Sequence, residues 1–284
     1  MKLLRYGPMG HERPGILDSD GRIRSLWPAI ADITPEVISP EGLKVLAALD
    51  VRRLPVVDGP QRMGVPVAGV RQFFAIGLNY KGHIEEAKSA GIMAPDEPMT
   101  FNKALTSLSG ADDDIILPPA AKAGDWEVEL GVILGSRAER VSVDAALDCV
   151  AGYCLANDVS ERDWQIKRGG QFVKGKSAPT FGPIGPWLVT TDEIPDPQKV
   201  ELRLDVNGVR RQHTSTSDMV FSVRYILSHL SEMMTLLPGD VILTGTPAGV
   251  GAGMKPPVHL RAGDVIELTS PQLGRQRQRV RAAG

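Results

Sequence analysis

The stretch Asp125-Trp126-Glu127-Val128-Glu129-Leu130-Gly131-Val132-Ile133-Leu134-Gly135 decides how the whole chain is read. As an extended strand it puts Glu127 and Glu129 on one face and Val128 and Leu130 on the other, because side chains alternate across a strand. The apolar run GVILG that follows belongs in a core. Two like charges side by side in such a place repel, and burying either alone costs on the order of several kcal/mol. A divalent cation resolves both difficulties, whereas an edge strand with its acids in water is the competing reading of this segment alone. A second segment favours the cation. In Gly152-Tyr153-Cys154-Leu155-Ala156-Asn157-Asp158 the acid shares parity with Gly152, Cys154 and Ala156, so a carboxylate again ends a face of small residues. Three carboxylates without a His-rich cluster suit a hard cation, Mg2+ or Mn2+, and not zinc.

Outward from these segments, strand patterns dominate the chain after Arg71. FFAIGL, DDIILPP, GPWLVT and the alternating VELRLDV read as strands, and Asn207-Gly208 supplies a two-residue hairpin turn. Two Gly-Asp turns, in PGDVILTGTP and RAGDVIEL, each feed another strand. A long amphipathic helix carries Phe221, Leu227, Leu230, Met234 and Leu237, with Ser217 or Asp218 as its cap and Pro238-Gly239 as its end. A short helix is expected from Ser142 over SVDAALDCV, and another over Pro40–Leu49. The first 70 residues are short apolar pieces broken by Pro and Gly, with a hairpin turning at Asp20-Gly21. They form a small β-rich N-terminal domain, 1–70, ahead of a catalytic domain, 71–284. Many strands, few helices and no regular β-α alternation give a β-rich α+β fold of mixed sheets.

Three further motifs carry chemistry. In NYKGHIEEAKSAG, His83 and Glu86 stand three apart and share a face if the segment is helical. A carboxylate beside a histidine raises its basicity and fixes its tautomer, as a base acting on water requires. A solvated helix with a chance pair is the other reading, and Gly82 and Gly91 would let the segment move as a lid. Gly170–Ser177, GQFVKGKS, fits the phosphate-loop pattern letter for letter. Its run-in is polar, however, and Pro179, Pro183 and Pro186 forbid the helix that would hold phosphates, so nucleotide binding is excluded and Lys176 is left as a lone cation. TGTPAGVGAG, Thr244–Gly253, offers backbone N–H groups and the Thr246 hydroxyl to an anion, or is simply a tight turn.

Composition bounds the rest. The 284 residues carry 32 Lys and Arg against 34 Asp and Glu, a formal charge of -2, which argues against a nucleic-acid partner. No apolar run approaches the roughly 18–20 residues of a membrane span, and the opening MKLLRYGPMGHERPG lacks the apolar region of a signal peptide, so a cytoplasmic location is expected. Cys149 and Cys154 make neither a disulfide framework nor a zinc site and read as core residues.

Five segments occur in one order: IGLNYKGHIEEA, DWEVELGVILG, AGYCLANDVSERDWQ, GKSAPTFGPIGPW and LTGTPAGVG. On them the chain resembles the fumarylacetoacetate hydrolase superfamily over roughly residues 73–280. That resemblance implies a mixed β-roll or barrel catalytic domain. It implies that Glu127, Glu129 and Asp158 hold Mg2+, with Mn2+ or Ca2+ as substitutes, and that His83 and Glu86 are a water-activating dyad on a closing lid. Lys176 matches the family's catalytic lysine, and Tyr80, Arg162, Gln165 and Thr246 stand where members contact substrate. Two positions depart from the pattern: Leu78 replaces a fourth metal acid of fumarylacetoacetate hydrolase itself, and KSAPTF replaces the commoner KSFDTF. The two ends of the chain are similar to bacterial enzymes acting on 2,4-diketo-3-deoxy sugar acids such as the L-fuconate derivative. The implied reaction is hydrolysis of a C–C bond in a small-molecule 2,4-dioxo acid of the acylpyruvate type, in a homodimer. Oxo-acid decarboxylation and ureidoglycolate lysis on the same scaffold are the other enzymatic readings. A non-catalytic small-molecule or metal-binding protein is the reading from another class.

Overall fold

The computed structural model describes residues 1–89 and 93–284, so Gly91 of the expected lid lies outside the described residues. The strands in chain order are β1 (Lys2–Tyr6), β2 (Arg13–Leu17), β3 (Ile23–Ser25), β4 (Phe73–Gly77), β5 (Met99–Asn102) and β6 (Leu108–Ser109). Then come β7 (Ile115–Leu117), β8 (Gly124–Asp125), β9 (Val128–Leu134), β10 (Val150–Asn157), β11 (Ser160–Glu161) and β12 (Gly182–Thr190). The last are β13 (Glu201–Val206), β14 (Val209–Ser215), β15 (Val241–Leu243), β16 (Val265–Ser270) and β17 (Gly274–Ala282). The helices are α1 (Pro40–Ala47), α2 (Lys81–Ser89), α3 (Arg162–Lys167), α4 (Val173–Lys176) and α5 (Val223–Met233). The fold is a mixed, sheet-rich α+β architecture, as the strand patterns implied.

A ten-stranded sheet runs β3-β2-β1-β12-β10-β9-β15-β4-β5, with β6 pairing β12, and a five-stranded sheet runs β14-β13-β16-β17-β7. The N-terminal hairpin extends the large sheet, because β1 pairs with β12. Alternation along β9 separates two cores. Val128, Leu130, Val132 and Leu134 join Leu204, Ile266, Leu268 and Leu227 between the sheets and α5. Ile133, with Cys154 and Ala156 of β10, joins Leu3, Ile38 and Leu46 on the other side. Small residues on that second face let the strands close up. A Cβ on Gly152 would lie 2.2 Å from the Val189 carbonyl oxygen, and one on Gly131 would lie 2.7 Å from Cys154 Sγ. Burial pushes the Cys154 thiol up to about 12, which fits a core residue and not a nucleophile.

The topology brings four strand ends together. Glu129 opposes Ala156 across the antiparallel pair of β9 and β10, and β15 lies antiparallel to β9 on its other side. β4 runs parallel to β15. The start of β9 therefore meets the ends of β10, β15 and β4, and every segment singled out for chemistry leaves the sheet at this one edge.

Two helices differ from expectation. α5 is capped by Ser222, whose hydroxyl accepts from Tyr225 N, and not by Ser217 or Asp218. Residues Thr216–Asp218 form a separate 3-10 turn. The Val220 and Phe221 N–H groups then donate to the backbone and side-chain oxygens of Asn79, which holds the chain out of the helix until Ser222. α5 also stops at Met233, so Leu237 lies in the following loop. The helix expected from Ser142 reduces to a 3-10 turn at Ala146–Cys149.

Gly152→Ala is expected to lower stability by about 2–3 kcal/mol, since the atom it would strike is backbone and cannot swing aside. A reduced urea midpoint at unchanged m would report this, and an unshifted midpoint would show slack between β10 and β12.

Candidate active site

Glu127, Glu129 and Asp158 are 4%, 1% and 0% exposed, and each offers an oxygen within 4.8 Å of the others. The alternation read from the sequence holds: Glu129 shares its face with Gly131 and Ile133, and Asp158 continues the small-residue face of β10. Lys176, on the one-turn α4, sends Nζ to Glu127 Oε2 at 2.8 Å and Asp158 Oδ2 at 2.6 Å. Lys103, at the end of β5, donates to Asp158 Oδ1 at 2.6 Å and to the Lys176 carbonyl. Arg162 bridges Asp125 Oδ2 at 2.8 Å and Glu127 Oε1 at 2.7 Å. Four buried carboxylates, Asp125 included, thus face three cations.

The imbalance falls on Glu129. Gly245 N–H donates to its Oε2 at 2.7 Å, but among the described residues no Lys or Arg forms an ion pair with it. Burial, then the charges of Asp158 and Glu127, hold its carboxyl well above the usual range. Glu127 shows the opposite outcome: burial pushes it up, but Lys176 and Arg162 outweigh that and hold it well below. Burial lowers Lys103 in spite of Asp158, whereas Asp158 and Glu127 overcome burial to raise Lys176.

The His83–Glu86 pair is real and helical. His83 Nδ1 stands 3.2 Å from Glu86 Oε2, and Gly249 N–H donates to Glu86 Oε1 at 2.9 Å. The glycine-rich loop after β15 thereby grips α2. That loop is tied in turn to Asp125, whose carboxylate accepts from Gly251 N at 2.6 Å and Ala252 N at 3.0 Å. Asn79 anchors the start of α2 through bonds to the Phe221 and Thr244 carbonyls.

A cavity of about 440 Å³ joins these parts. His83, Glu86, Glu127, Arg162, Gln165, Lys176 and Thr246 all line it, while Glu129, Asp158 and Tyr80 lie outside its lining. Thr246 Oγ1 donates to the Val128 carbonyl at 3.0 Å and accepts from Gln212 at 2.9 Å, so its proton is committed to the fold. Gln165 accepts from Arg162 at 3.0 Å. Of the five buried polar side-chain atoms without a partner among the described residues, two belong to residues of this site: Tyr80 Oη and Arg162 Nη2. Such orphans are costly in a native protein and point to a group the polypeptide does not supply.

These features fit a hard divalent cation. The donors are all carboxylate oxygens, the buried carboxylates outnumber the surrounding cations by one once Asp125 is counted, and the buried Tyr80 phenol, itself pushed up by burial and by Glu129, stands unpaired beside them. Sequence reasoning missed Lys103, Asp125, Asn79 and Gln212. Asp125 stood in the quoted strand, and its position two before Glu127 was the signal available for it.

Fold and site together define a sheet-rich protein with a buried oxygen-donor centre under a half-apolar cavity. The family model described as fumarylacetoacetate (FAA) hydrolase C-terminal matches residues 72–281. A Burkholderia multivorans protein, named only provisionally as a hydrolase, is 54% identical, with all of both chains covered. The solved fumarylacetoacetate hydrolase of Exiguobacterium antarcticum is 37% identical at a TM-score of 0.88, again over 100% of each chain. Maleylpyruvate hydrolase from Sphingobium sp. SYK-6, solved with manganese(II) and pyruvate, is 28% identical at a TM-score of 0.81 over 100% of each. The chain belongs to the fumarylacetoacetate hydrolase family. Its homologues are hydrolases and isomerases.

The proton held by Glu129 stabilises the metal-free fold at low pH, and that contribution is lost as pH rises through the raised value. The contribution of Glu127 has the opposite sign and is lost only as pH falls through its depressed value, so it is constant near neutrality. A divalent ion held by the three carboxylates would favour the ionised form of Glu129. Mn2+ at about 100 times its Kd should therefore raise Tm by about 5–10 °C, more at about pH 8 than at about pH 6. A Tm indifferent to Mn2+ would remove the metal assignment.

Proposed function

We propose that this chain hydrolyses a C–C bond of a 2,4-dioxo acid of the acylpyruvate type, giving pyruvate and a carboxylic acid. In this reading residues 71–284 are the catalytic unit, and residues 1–70 are a small unit that widens its sheet. The carrying observation is that one cavity is lined both by the acid cluster, through Glu127 and Lys176, and by the His83–Glu86 pair. The pyruvate and manganese(II) named for the maleylpyruvate hydrolase support the choice of product and of metal class.

Glu127, Glu129 and Asp158 would hold Mg2+ or Mn2+, which when bound supplies Lewis-acid polarisation to the dioxo acid. Arg162 Nη2, unpaired in the protein, is suited to the substrate carboxylate. Glu86, fixed at one oxygen by Gly249, accepts a hydrogen bond from His83 Nδ1–H at the other and leaves Nε2 as the basic nitrogen. His83 accepts a proton from water as its oxygen bonds to the C4 carbonyl carbon. The C3–C4 bond then breaks: the acyl carbon keeps the water oxygen as a carboxylic acid, and C3 leaves with the electron pair. Lys176 offsets the negative charge that spreads onto the pyruvyl fragment, and the proton held by His83 returns to C3. Atoms balance as one water consumed and two acids released.

His83→Ala should retain Mn2+ binding and lose about 100-fold or more in hydrolysis. Glu127→Ala should lose binding and activity together. In ¹⁸O-labelled water the label should enter the carboxylic acid product and not the pyruvate carboxylate. Unlabelled acid, or undiminished turnover of His83→Ala, would sink this chemistry.

A further inference from the structure

The cavity has two chemically distinct ends. The polar side chains among its described lining residues are those of His83, Glu86, Glu127, Arg162, Gln165, Lys176 and Thr246. Most of these groups are engaged already: Lys176 with two carboxylates, Glu86 with His83 and Gly249, Thr246 with Val128 and Gln212, and Arg162 with Asp125 and Glu127, leaving its Nη2 for the carboxylate of the dioxo acid itself. The remaining wall is built by Leu78, Met99, Phe101, Phe172, Ile166 and Val250, with glycine and alanine between them. Phe101 and Phe172 meet edge to face at 5.3 Å, and Lys176 Nζ lies 5.4 Å from the Phe101 ring centre, so this ring marks where the charged end stops. Leu78 packs with Ile84 and Ala87 of α2 and with Met99, which carries the apolar surface under the dyad helix.

Met99, Phe101 and Phe172 are only partly buried, and Ile166 is exposed. Apolar surface left facing a cavity is relieved by an apolar occupant. A hydroxylated chain placed there would give up its water without finding donors or acceptors, and a second carboxylate would find no uncommitted cation among the described wall residues. The cavity, of about 440 Å³, has the volume of on the order of fifteen waters, well beyond the needs of a three-carbon pyruvyl unit.

We infer that the substrate's acyl group is apolar and extended, an alkyl or aryl chain at C4 seated on Leu78, Met99, Phe101 and Phe172, and not a polyol or a second acid. This rests on the reading of the site as a 2,4-dioxo acid hydrolase, and it departs from the sugar-acid substrate that the chain's two ends suggested.

The test is kcat/KM on the Mn2+-loaded enzyme for four classes of 2,4-dioxo acid, carrying at C4 a methyl, a pentyl or phenyl, a trihydroxyalkyl, or a carboxyvinyl group. The pentyl or phenyl acid should exceed the methyl acid by about 10–100-fold, and the trihydroxyalkyl and carboxyvinyl acids should fall below it. Phe172→Ala, checked for an unchanged melting profile, should reduce the phenyl-to-methyl ratio by about 10-fold. Best turnover of the hydroxylated or carboxylated acid would overturn the apolar assignment while leaving dioxo-acid hydrolysis intact. An unchanged ratio in Phe172→Ala would overturn it as well. Cleavage of none of the four would instead overturn the reaction itself, and the acyl assignment with it.

Discussion

The contact of Lys176 Nζ with Glu127 and Asp158 is the interaction around which this structure is arranged. Three carboxylates cannot be buried at the meeting of β9 and β10 unless positive charge is buried with them. Lys176, Lys103 and Arg162 supply it from three separate segments, and each must be delivered to within hydrogen-bond reach. The one-turn α4 exists to bring Lys176 inward. Gly175 within it would place a Cβ 2.5 Å from the Glu161 carbonyl oxygen, so only glycine allows this approach. The letters that imitate a phosphate loop here encode the burial of a lysine.

A second consequence concerns how the dyad is held. Asp125 accepts four hydrogen bonds, from Trp126, Gly251, Ala252 and Arg162. Through Arg162 it reaches Glu127, and through residues 249–252 it reaches Glu86 and so His83. The acid cluster and the dyad are therefore positioned by one connected set of short bonds, although 40 or more residues separate their sequence segments. Such a frame keeps reacting groups in register without relying on the helix that carries them.

Much of this was legible in the sequence, for a physical reason that also sets the limit. Strand parity is a local property, so Glu127, Glu129 and Asp158 could be placed on their faces from their neighbours alone, and the spacing of His83 and Glu86 worked the same way on a helix. The partners of those residues are set by topology. Lys103 ends an unremarkable strand, Gln212 lies mid-hairpin, and Asn79 acts on residues more than 140 positions away. Nothing in their own surroundings marks them. The misplaced start of α5 has the same origin, because Asn79 takes the N–H groups of Val220 and Phe221 that a helix beginning at Ser217 would have directed inward.

Leu78 shows how one position shapes both halves of the site. It adopts a left-handed backbone, with φ of 53°, which costs a residue with a Cβ about 1–2 kcal/mol. The bonds of the next residue, Asn79, to Phe221 and Thr244 fix the chain there and offset that strain. The turn aims Leu78 into the cavity, at the position where the family resemblance led one to expect a fourth acid. An acid there would have deepened the negative excess that already falls on Glu129. The leucine instead leaves the cluster at three donors and joins Met99 in the apolar wall. The same strained turn thus limits the charge at one end of the cavity and sets the hydrophobic character of the other.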